Sequence, residues 1–518
     1  MPALGVLLYL LIVPTVPDLA AQTARAAMVR QAGFTVWWPG WFGGLELPTY
    51  SVIAPSVMSV IGAPLTGALS AVICVVAMHH LMRHSLRPTA ASITFSVMVL
   101  LNLVNGRITY LVGVAFALGA VLALANRKPW LAAVGGVLSC LASPLAGLFL
   151  GIAAAAVVLG RRDYRREALW AGGSVALVLG TLAVLFSGVG VMPAPLLEMF
   201  FGFIGVVLVA VGCEDRTVRI GCLLVALVLV CTTIVPTAIG VNITRMVWML
   251  GPPLIAAYCR RPLPVVATLV VLTSVFPTVD TTRQVIRGDA PSALPMFYRP
   301  LIHQLRARAA ADPSAVGQRA EVLEPETKGA ARYVSLAVPI ARGWERQTDM
   351  SENPIFYQQS LSAATYHRWL KRLAVGWVAV PNAALDFGSL TEKALIDRHH
   401  PGYLRLVWSD PNWHLYRVLG SRPLAVGARV VSVRRGLITL RADRAGPVQL
   451  AVRWSPYLDV RPVASSLLPA FPPPACVQQA GRWSQLQVRT PGEYVIGSYF
   501  AVWPFVQYSS KCASGPPS

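Results

Sequence analysis

The sequence predicts a polytopic α-helical membrane protein of about 11 transmembrane helices, followed by a C-terminal extracytoplasmic domain with an α/β part and a β-sandwich-like part. One reason is composition: 55% of the 518 residues are hydrophobic and 13% are charged, whereas an average soluble domain has about 25% charged residues. The other is that long apolar runs fill the chain to about residue 280, after which charges are scattered. The pattern predicts domains 1–280, 281–420 and 421–518, and it excludes an ordinary cytosolic enzyme.

Apolar stretches long enough to cross a bilayer set the predicted helix count, because a spanning helix needs about 20 residues. The stretch 130–160 is too long for one helix. Ser143-Pro144 lies in its middle, and proline disfavours helix at the residue before it, so we predict two helices there. The other predicted spans are 3–17, 53–80, 89–104, 108–125, 167–189, 197–212, 218–236, 246–258 and 263–279.

Basic clusters between the apolar runs predict the orientation, since cytoplasmic loops concentrate Lys and Arg. With a cytoplasmic N-terminus, all five clusters fall in the cytoplasm. Loop 18–50 and everything after residue 280 then fall on the extracytoplasmic side of the membrane. This distribution accounts for much of the net charge of +21 without nucleic acid as a partner. The clusters are 83–87, 127–128, 161–166, 216–219 and 260–261.

Short alternating runs after residue 280 predict strands. Runs 333–338, 375–380 and 414–418, with a helix-like stretch at 361–375, indicate a mixed α/β part. Beyond residue 422 the signal is strand-like only, as in a small sandwich, and 468–474 is a proline-rich connector. The predicted sandwich strands are 428–433, 437–442, 448–454, 483–488 and 494–500.

The first extracytoplasmic loop, 18–50, combines two acids with an aromatic, glycine-rich stretch. Asp18 could act as a general base at the membrane surface. It could equally cap a helix running from Leu19 to Gln31, while the tryptophans form an interfacial belt. The remaining candidate side chains of this loop are Glu46 as a second acid and Trp37, Trp38, Trp41 and Tyr50 as substrate contacts.

Two arginines at predicted outer boundaries are candidate phosphate ligands. Arg245 begins an apolar run, where a guanidinium needs a partner, and a phosphate can bind its planar fork bidentately. Snorkelling to the interface explains Arg245 as well. Arg107 follows Asn102 and Asn105, and a tight turn between two helices would also explain that polar group. Outside the cytoplasm, Cys476 and Cys512 could form a disulfide.

Several motifs resemble a group of actinobacterial multi-pass proteins that is similar to the GT-C glycosyltransferase superfamily. In the helical part they are Asp18, the stretch 37–51 ending in Leu-Pro-Thr-Tyr-Ser, Asn105-Gly-Arg, Ala142-Ser-Pro-Leu-Ala-Gly-Leu-Phe and Asn242-Ile-Thr-Arg. In the soluble part they are Arg342-Gly-Trp-Glu-Arg-Gln, Asn353-Pro-Ile-Phe-Tyr, Tyr366-His-Arg-Trp-Leu and Trp377-Val-Ala-Val-Pro.

This resemblance implies transfer of a sugar from a polyprenyl-phosphate donor to a cell-envelope glycan or glycolipid at the outer leaflet. By the same similarity, Asp18 is the catalytic base and Arg245 the ligand of the donor phosphate. Many GT-C enzymes have two acids close together in the first loop, whereas Asp18 has no acidic neighbour before Glu46. A requirement for Mg²⁺ or Mn²⁺ therefore stays open.

Two other functions compete with transfer. A transporter or flippase of lipid-linked intermediates would need ionisable residues near the bilayer midplane and inverted repeats. A non-catalytic scaffold would need no cavity joining Asp18, Glu46 and Arg245.

Overall fold

The computed structural model describes residues 2–186, 188, 190–463, 474–498 and 511–512. The chain divides into two compact units. The helical unit comprises Met1–Ala26, Pro48–Asp289 and Arg346–Ser351, and the sheet unit comprises Ala27–Leu47, Ala290–Glu345 and Glu352–Ser518.

Thirteen α-helices lie between residues 2 and 288 of the described chain, and their order follows the apolar runs of the sequence. They are α1 (Pro2–Ile12), α2 (Pro17–Ala32), α3 (Ala54–Ile61), α4 (Ala63–Met82), α5 (Pro88–Val104), α6 (Ile108–Ala125), α7 (Pro129–Ala142), α8 (Pro144–Gly160), α9 (Arg165–Leu185), α10 (Leu196–Gly212), α11 (Arg216–Ile234), α12 (Thr244–Tyr258) and α13 (Leu263–Gly288).

Five helical segments of the described chain are long and apolar enough to cross a membrane: α4, α6, Arg162–Leu185, α11 and α13. The helices α1 and α2 would add a sixth span if counted as one, although they are bent by 74° relative to each other. Four further apolar helices, α5, α7, α8 and α10, are shorter. The length and composition of these helices indicate association with a membrane.

The predicted division of 130–160 is confirmed. Helix α7 ends at Ala142 and α8 begins at Pro144, and the Ser143 hydroxyl accepts a hydrogen bond from the backbone N–H of Ala146. A second break was not predicted: span 53–80 is interrupted at Gly62, where a φ of +84° favours glycine over residues with a Cβ.

All five basic clusters lie at one end of the helical unit, where contacts join them in series. Arg87 donates to the carbonyl oxygens of Cys259 and Arg261, and Arg260 lies 3.7 Å from Glu214. Arg161 pairs with Asp215 at 2.8 Å, and Arg127 pairs with Glu167 at 3.5 Å. Because Arg127 precedes α7 and Glu167 follows α8, these two helices leave this end and return to it. We name it the basic end.

The sheet unit contains most of the remaining secondary structure. Its helices are α14 (Pro295–Ala311), α16 (Ala363–Arg372) and α17 (Phe387–His399); α15 (Arg346–Glu352) lies mainly in the helical unit. The strands are β1 (Trp37–Trp38), β2 (Leu45–Glu46), β3 (Arg319–Val322), β4 (Val375–Pro381), β5 (Leu404–Ser409), β6 (Trp413–Val418), β7 (Ala425–Val426), β8 (Arg429–Arg434), β9 (Leu437–Ala442), β10 (Gly446–Arg453), β11 (Leu458–Pro462), β12 (Ala475–Ala480), β13 (Trp483–Val488) and β14 (Gly492–Ser498).

The α/β part has a four-stranded sheet in the order β3-β4-β6-β5, in which β3 and β4 are parallel and the other pairs are antiparallel. The strands predicted at 375–380 and 414–418 and the helix predicted within 361–375 are confirmed. The prediction of a strand at 333–338 is wrong. A π-helix, Ala330–Val334, occupies its start, and the backbone N–H of Ala330 donates to the Glu324 carboxylate at 3.1 Å.

The C-terminal part consists of two antiparallel four-stranded sheets, β12-β13-β10-β7 and β11-β14-β9-β8. Inward-facing residues of both sheets form one core, for example Leu450 and Leu486 from the first and Leu440 and Ile496 from the second. All five predicted strands are present, with ends shifted by up to two residues where they are described. Cys476 and Cys512 are joined by a disulfide. The proline-rich connector predicted at 468–474 lies outside the described residues, except for Pro474.

Charged side chains are also buried in the α/β part. The guanidinium of Arg342 lies 3.7 Å from the Glu321 carboxylate and 3.6 Å from the Glu392 carboxylate, and both acids are completely buried. The Tyr366 hydroxyl donates to Glu392 at 2.5 Å. Arg342, Glu321 and Glu392 therefore each have a partner of opposite charge, as burial of a charge requires.

Candidate functional site

Three charged side chains meet at the end of the helical unit opposite the basic end. Arg107 Nη2 lies 2.8 Å from Asp280 Oδ2, and Arg107 Nε lies 3.6 Å from Asp18 Oδ2. The side chain of Asp18 is 33% exposed and that of Arg107 is 18% exposed. We call Asp18, Arg107 and Asp280 the Arg107 cluster. It contains one more negative charge than positive charge and remains accessible to a ligand.

Local sequence explains how Arg107 reaches this position. The turn between α5 and α6 contains Gly106 with a φ of +73°, and a Cβ there would lie 2.5 Å from the backbone nitrogen of Leu19. Only glycine allows this turn to lie so close to the first turn of α2. The Asn105 side-chain amide donates to Thr281 Oγ1 at 2.9 Å, which joins the same turn to α13. The tight-turn explanation of the Asn102, Asn105 and Arg107 group therefore holds, and the turn also places Arg107 between two acids.

Asp18 lies in the first turn of α2, which begins at Pro17 and not at Leu19. Asp18 is therefore not the cap of a helix that begins at Leu19. A carboxylate in the first turn is still favoured by the helix dipole, and this one remains accessible. The end of α13 is held nearby, because Thr15 Oγ1 donates to the carbonyl oxygen of Gly288 at 2.6 Å.

A second group of polar side chains lies one helical turn further along α2. The Gln22 side-chain amide donates to the Tyr50 hydroxyl at 3.0 Å, and Thr109 donates to the Gln22 side-chain oxygen. The Arg25 guanidinium lies 4.2 Å from the centre of the Tyr50 ring. Burial raises the pKa of Tyr50, as does the negative charge of Asp18, while Arg25 and Arg245 oppose the shift. Tyr50 is therefore a neutral hydroxyl between Asp18 and these two arginines.

Arg245 lies in the first turn of α12 and is partly exposed. It lies within electrostatic reach of Asp18, Arg107, Tyr50 and Tyr110. Within the described residues its guanidinium has neither a hydrogen bond nor an ion pair. A partly exposed guanidinium without a direct partner is a candidate site for an anion, and its planar fork suits a phosphate.

Asp280 is the functional candidate that sequence reasoning missed. It lies 262 residues after Asp18, and the first loop was the place where a second acid was expected. The signal was present, because Asp280 and Thr281 follow an apolar run at an end predicted to be extracytoplasmic. Glu198, in the first turn of α10, lies within electrostatic reach of Asp280 and adds a further acid on the same side.

Glu46 and the three tryptophans belong to the sheet unit. Ser455 Oγ donates a hydrogen bond to Glu46 Oε1 at 2.8 Å. Trp37, Trp38 and Trp41 are at most 4% exposed, and Trp37 belongs to the sandwich core. Neither substrate contact nor an interfacial belt fits rings buried in this way. Segment 33–47 is instead hydrogen-bonded into the sheet unit, where the carbonyl oxygens of Gly40 and Gly43 accept from Ile340 and Arg453.

Glu46 makes the stability of the sheet unit depend on pH. Burial raises its pKa above the ordinary value, and the hydrogen bond from Ser455 only partly opposes this. The folded unit then binds the proton more tightly than the unfolded chain, so its contribution to stability falls as the pH rises through and above the ordinary range of a glutamic acid. We expect Glu46→Gln to lessen the fall in the sheet unit's unfolding midpoint between pH 4 and pH 8. An equal fall of the urea midpoint in the variant and in the wild type between these two pH values would contradict this.

The residues that the structure describes contain no group of three His, Cys, Asp or Glu side chains suited to a metal ion. Both carboxylates of the Arg107 cluster contact a guanidinium, which competes with a cation for them. This arrangement does not fit Mg²⁺ or Mn²⁺, and the chemistry considered below uses no metal.

Comparison with known proteins adds no relative: no family model, no curated protein and no solved structure matches the chain.

Proposed function

We propose that the protein is a multi-pass membrane glycosyltransferase of GT-C type, which transfers a sugar from a polyprenyl-phosphate donor to a cell-envelope acceptor. The supporting observation is that a partly exposed carboxylate, Asp18, and an arginine without a direct partner, Arg245, lie within electrostatic reach of each other. A transferase needs both groups, one for the acceptor hydroxyl and one for the leaving phosphate.

In the proposed reaction the Asp18 carboxylate accepts the proton of an acceptor hydroxyl. The hydroxyl oxygen then forms a bond to the anomeric carbon of the donor sugar, and the bond from that carbon to the phosphate oxygen breaks. Arg245 stabilises the negative charge that the polyprenyl phosphate carries as it leaves. Arg107 keeps Asp18 in place, and Asp280 holds Arg107 from the other side.

The proposal also includes the membrane arrangement. Eleven helices of the described chain, α1 and α4 to α13, coincide with the predicted spans, and we propose that all of them cross. With the basic end in the cytoplasm, the Arg107 cluster and the sheet unit are extracytoplasmic. The cysteines support this assignment, because the disulfide lies in the sheet unit and the six free cysteines all lie in the helical unit.

The charge distribution favours transfer over transport. From α4 to α13, every Asp, Glu, Lys and Arg of a helix lies in its first or last two turns or near them. A carrier that moves a charged lipid intermediate through the bilayer would need ionisable groups at mid-depth. A site at the helix ends suits a reaction at the membrane surface.

Arg245→Gln tests the phosphate role. We expect this variant to lower transfer from polyprenyl-phosphate sugars by about a hundredfold, because losing one stabilising donor for a developing charge costs a factor of about 10² to 10³. Arg283→Gln is the matched control, since Arg283 is an exposed arginine of α13 in the same unit, and it should retain full transfer. Equal activity of the two variants, measured with radiolabelled donors in purified membranes, would reject Arg245 as the phosphate ligand.

A further inference from the structure

Helix α14 has two unlike faces. Phe297, Tyr298, Leu301 and Leu305 are at most 4% exposed and pack into the sheet unit. The opposite face is exposed and carries Arg299, His303 and Arg306, spaced three to four residues apart and therefore on one side of the helix. These residues border an open depression of about 510 Å³ together with Ile302 and Ala307.

The described part of the chain does not balance the charge of this face. The 22 residues between Asp289 and Asp312 contain three arginines and one histidine and no acid. In the part of the chain that the structure describes, Arg299, His303 and Arg306 have neither a hydrogen bond nor an ion pair. Solvent exposure alone would account for one such side chain, but three cationic or titratable groups on one face suit an extended anionic surface better.

Two more observations identify which anionic surface. Two large apolar side chains lie beside the basic face, Leu294 at 44% and Met296 at 64% exposure. Only six residues separate the end of α13 from the start of α14, and α13 is long and apolar enough to cross a membrane. A basic helix with exposed apolar side chains, immediately following a membrane span, has the pattern of an interfacial helix.

We propose that the exposed face of α14 binds the anionic phospholipid headgroups of the bilayer that contains α13. The arginines contact headgroup phosphates, while Leu294 and Met296 enter the boundary of the acyl chains. This proposal does not depend on sugar transfer. It assigns to α14 the role of holding the sheet unit at the lipid surface.

Arginine footprinting tests the contact directly. The full chain is placed in nanodiscs of neutral lipid or of neutral lipid mixed with phosphatidylglycerol, and modification by phenylglyoxal is followed by mass spectrometry. We expect Arg299 and Arg306 to react about fivefold more slowly in the anionic discs, a factor set by the attraction of one arginine to an anionic surface. Arg434, an exposed arginine of β8, should react equally in both. High salt should remove the protection.

A variant makes the assignment specific. In the double variant Arg299→Gln, Arg306→Gln, the anionic lipid should no longer slow modification of His303 by diethyl pyrocarbonate, whereas Arg434→Gln should leave that protection intact. Equal reactivity of Arg299 and Arg306 in the two kinds of disc would overturn the proposal. Equal protection by inorganic phosphate in neutral discs would also overturn it, because it would show a small-anion site instead of a lipid surface.

Discussion

Asp18→Asn is expected to lower the rate of sugar transfer by a factor of about 10² to 10⁴, the usual contribution of a general base. Asparagine has nearly the same shape and can still accept a hydrogen bond from Arg107, so α2 and the turn that carries Arg107 should keep their positions. What is lost is the ability to accept the proton of the acceptor hydroxyl. The expected change is therefore in kcat, with membrane insertion and yield unaffected.

The measurement is the initial rate of transfer by the purified full chain at saturating donor. Asp289→Asn is the matched control, because Asp289 is an exposed acid of the same unit that lies outside the Arg107 cluster. It should keep its activity. A rate for Asp18→Asn within twofold of the wild-type rate would reject Asp18 as the base.

Arg342→Met is expected to destabilise the sheet unit by about 3 to 5 kcal/mol, the usual cost of removing one partner from a buried ion pair. Arg342 is the cation that lies between the completely buried carboxylates of Glu321 and Glu392. Methionine fills much of the same space, so the loss comes mainly from the two acids, which must be protonated or solvated when the cation is absent. For a unit of this size, each kcal/mol lowers Tm by about 2 to 4 °C.

Thermal unfolding of the full chain, followed by tryptophan fluorescence, measures this effect. Arg429→Met is the control, since Arg429 is exposed on the edge strand β8, and its Tm should stay within about 2 °C of the wild type because exposed substitutions cost little. A similar small change for Arg342→Met would show that Glu321 and Glu392 are not held by this arginine.

The helices could be predicted from the sequence because each apolar run is long and bounded by charge or proline. The break at Ser143-Pro144 follows from the chemistry of proline alone. The break at Gly62 could not be foreseen, since a single glycine within an apolar run is compatible with a continuous helix. The sandwich strands were also predictable, because their side chains alternate between core and solvent.

The failures have a common physical cause, which is contact between residues far apart in the chain. Residues 333–338 alternate like a strand. Tyr298 nevertheless packs on Tyr333 with ring centres 5.3 Å apart, and the Tyr333 hydroxyl donates a hydrogen bond to the carbonyl oxygen of Ala293. The aromatic stretch near Trp37 has the composition of a surface loop. Its burial depends on contacts with distant parts of the sheet unit, which the local sequence does not reveal. Asp280 was missed for the same reason, because its partner Arg107 is 173 residues away.

The central claim is that a donor phosphate binds at Arg245 beside Asp18. A cryo-electron microscopy map of the full chain in nanodiscs with bound polyprenyl phosphate tests it most directly. The account predicts phosphate density within hydrogen-bond distance of the Arg245 guanidinium, at the end of the helical unit that carries Arg107. Phosphate density at the basic end, or a lipid bound elsewhere with no phosphate at Arg245, would contradict it.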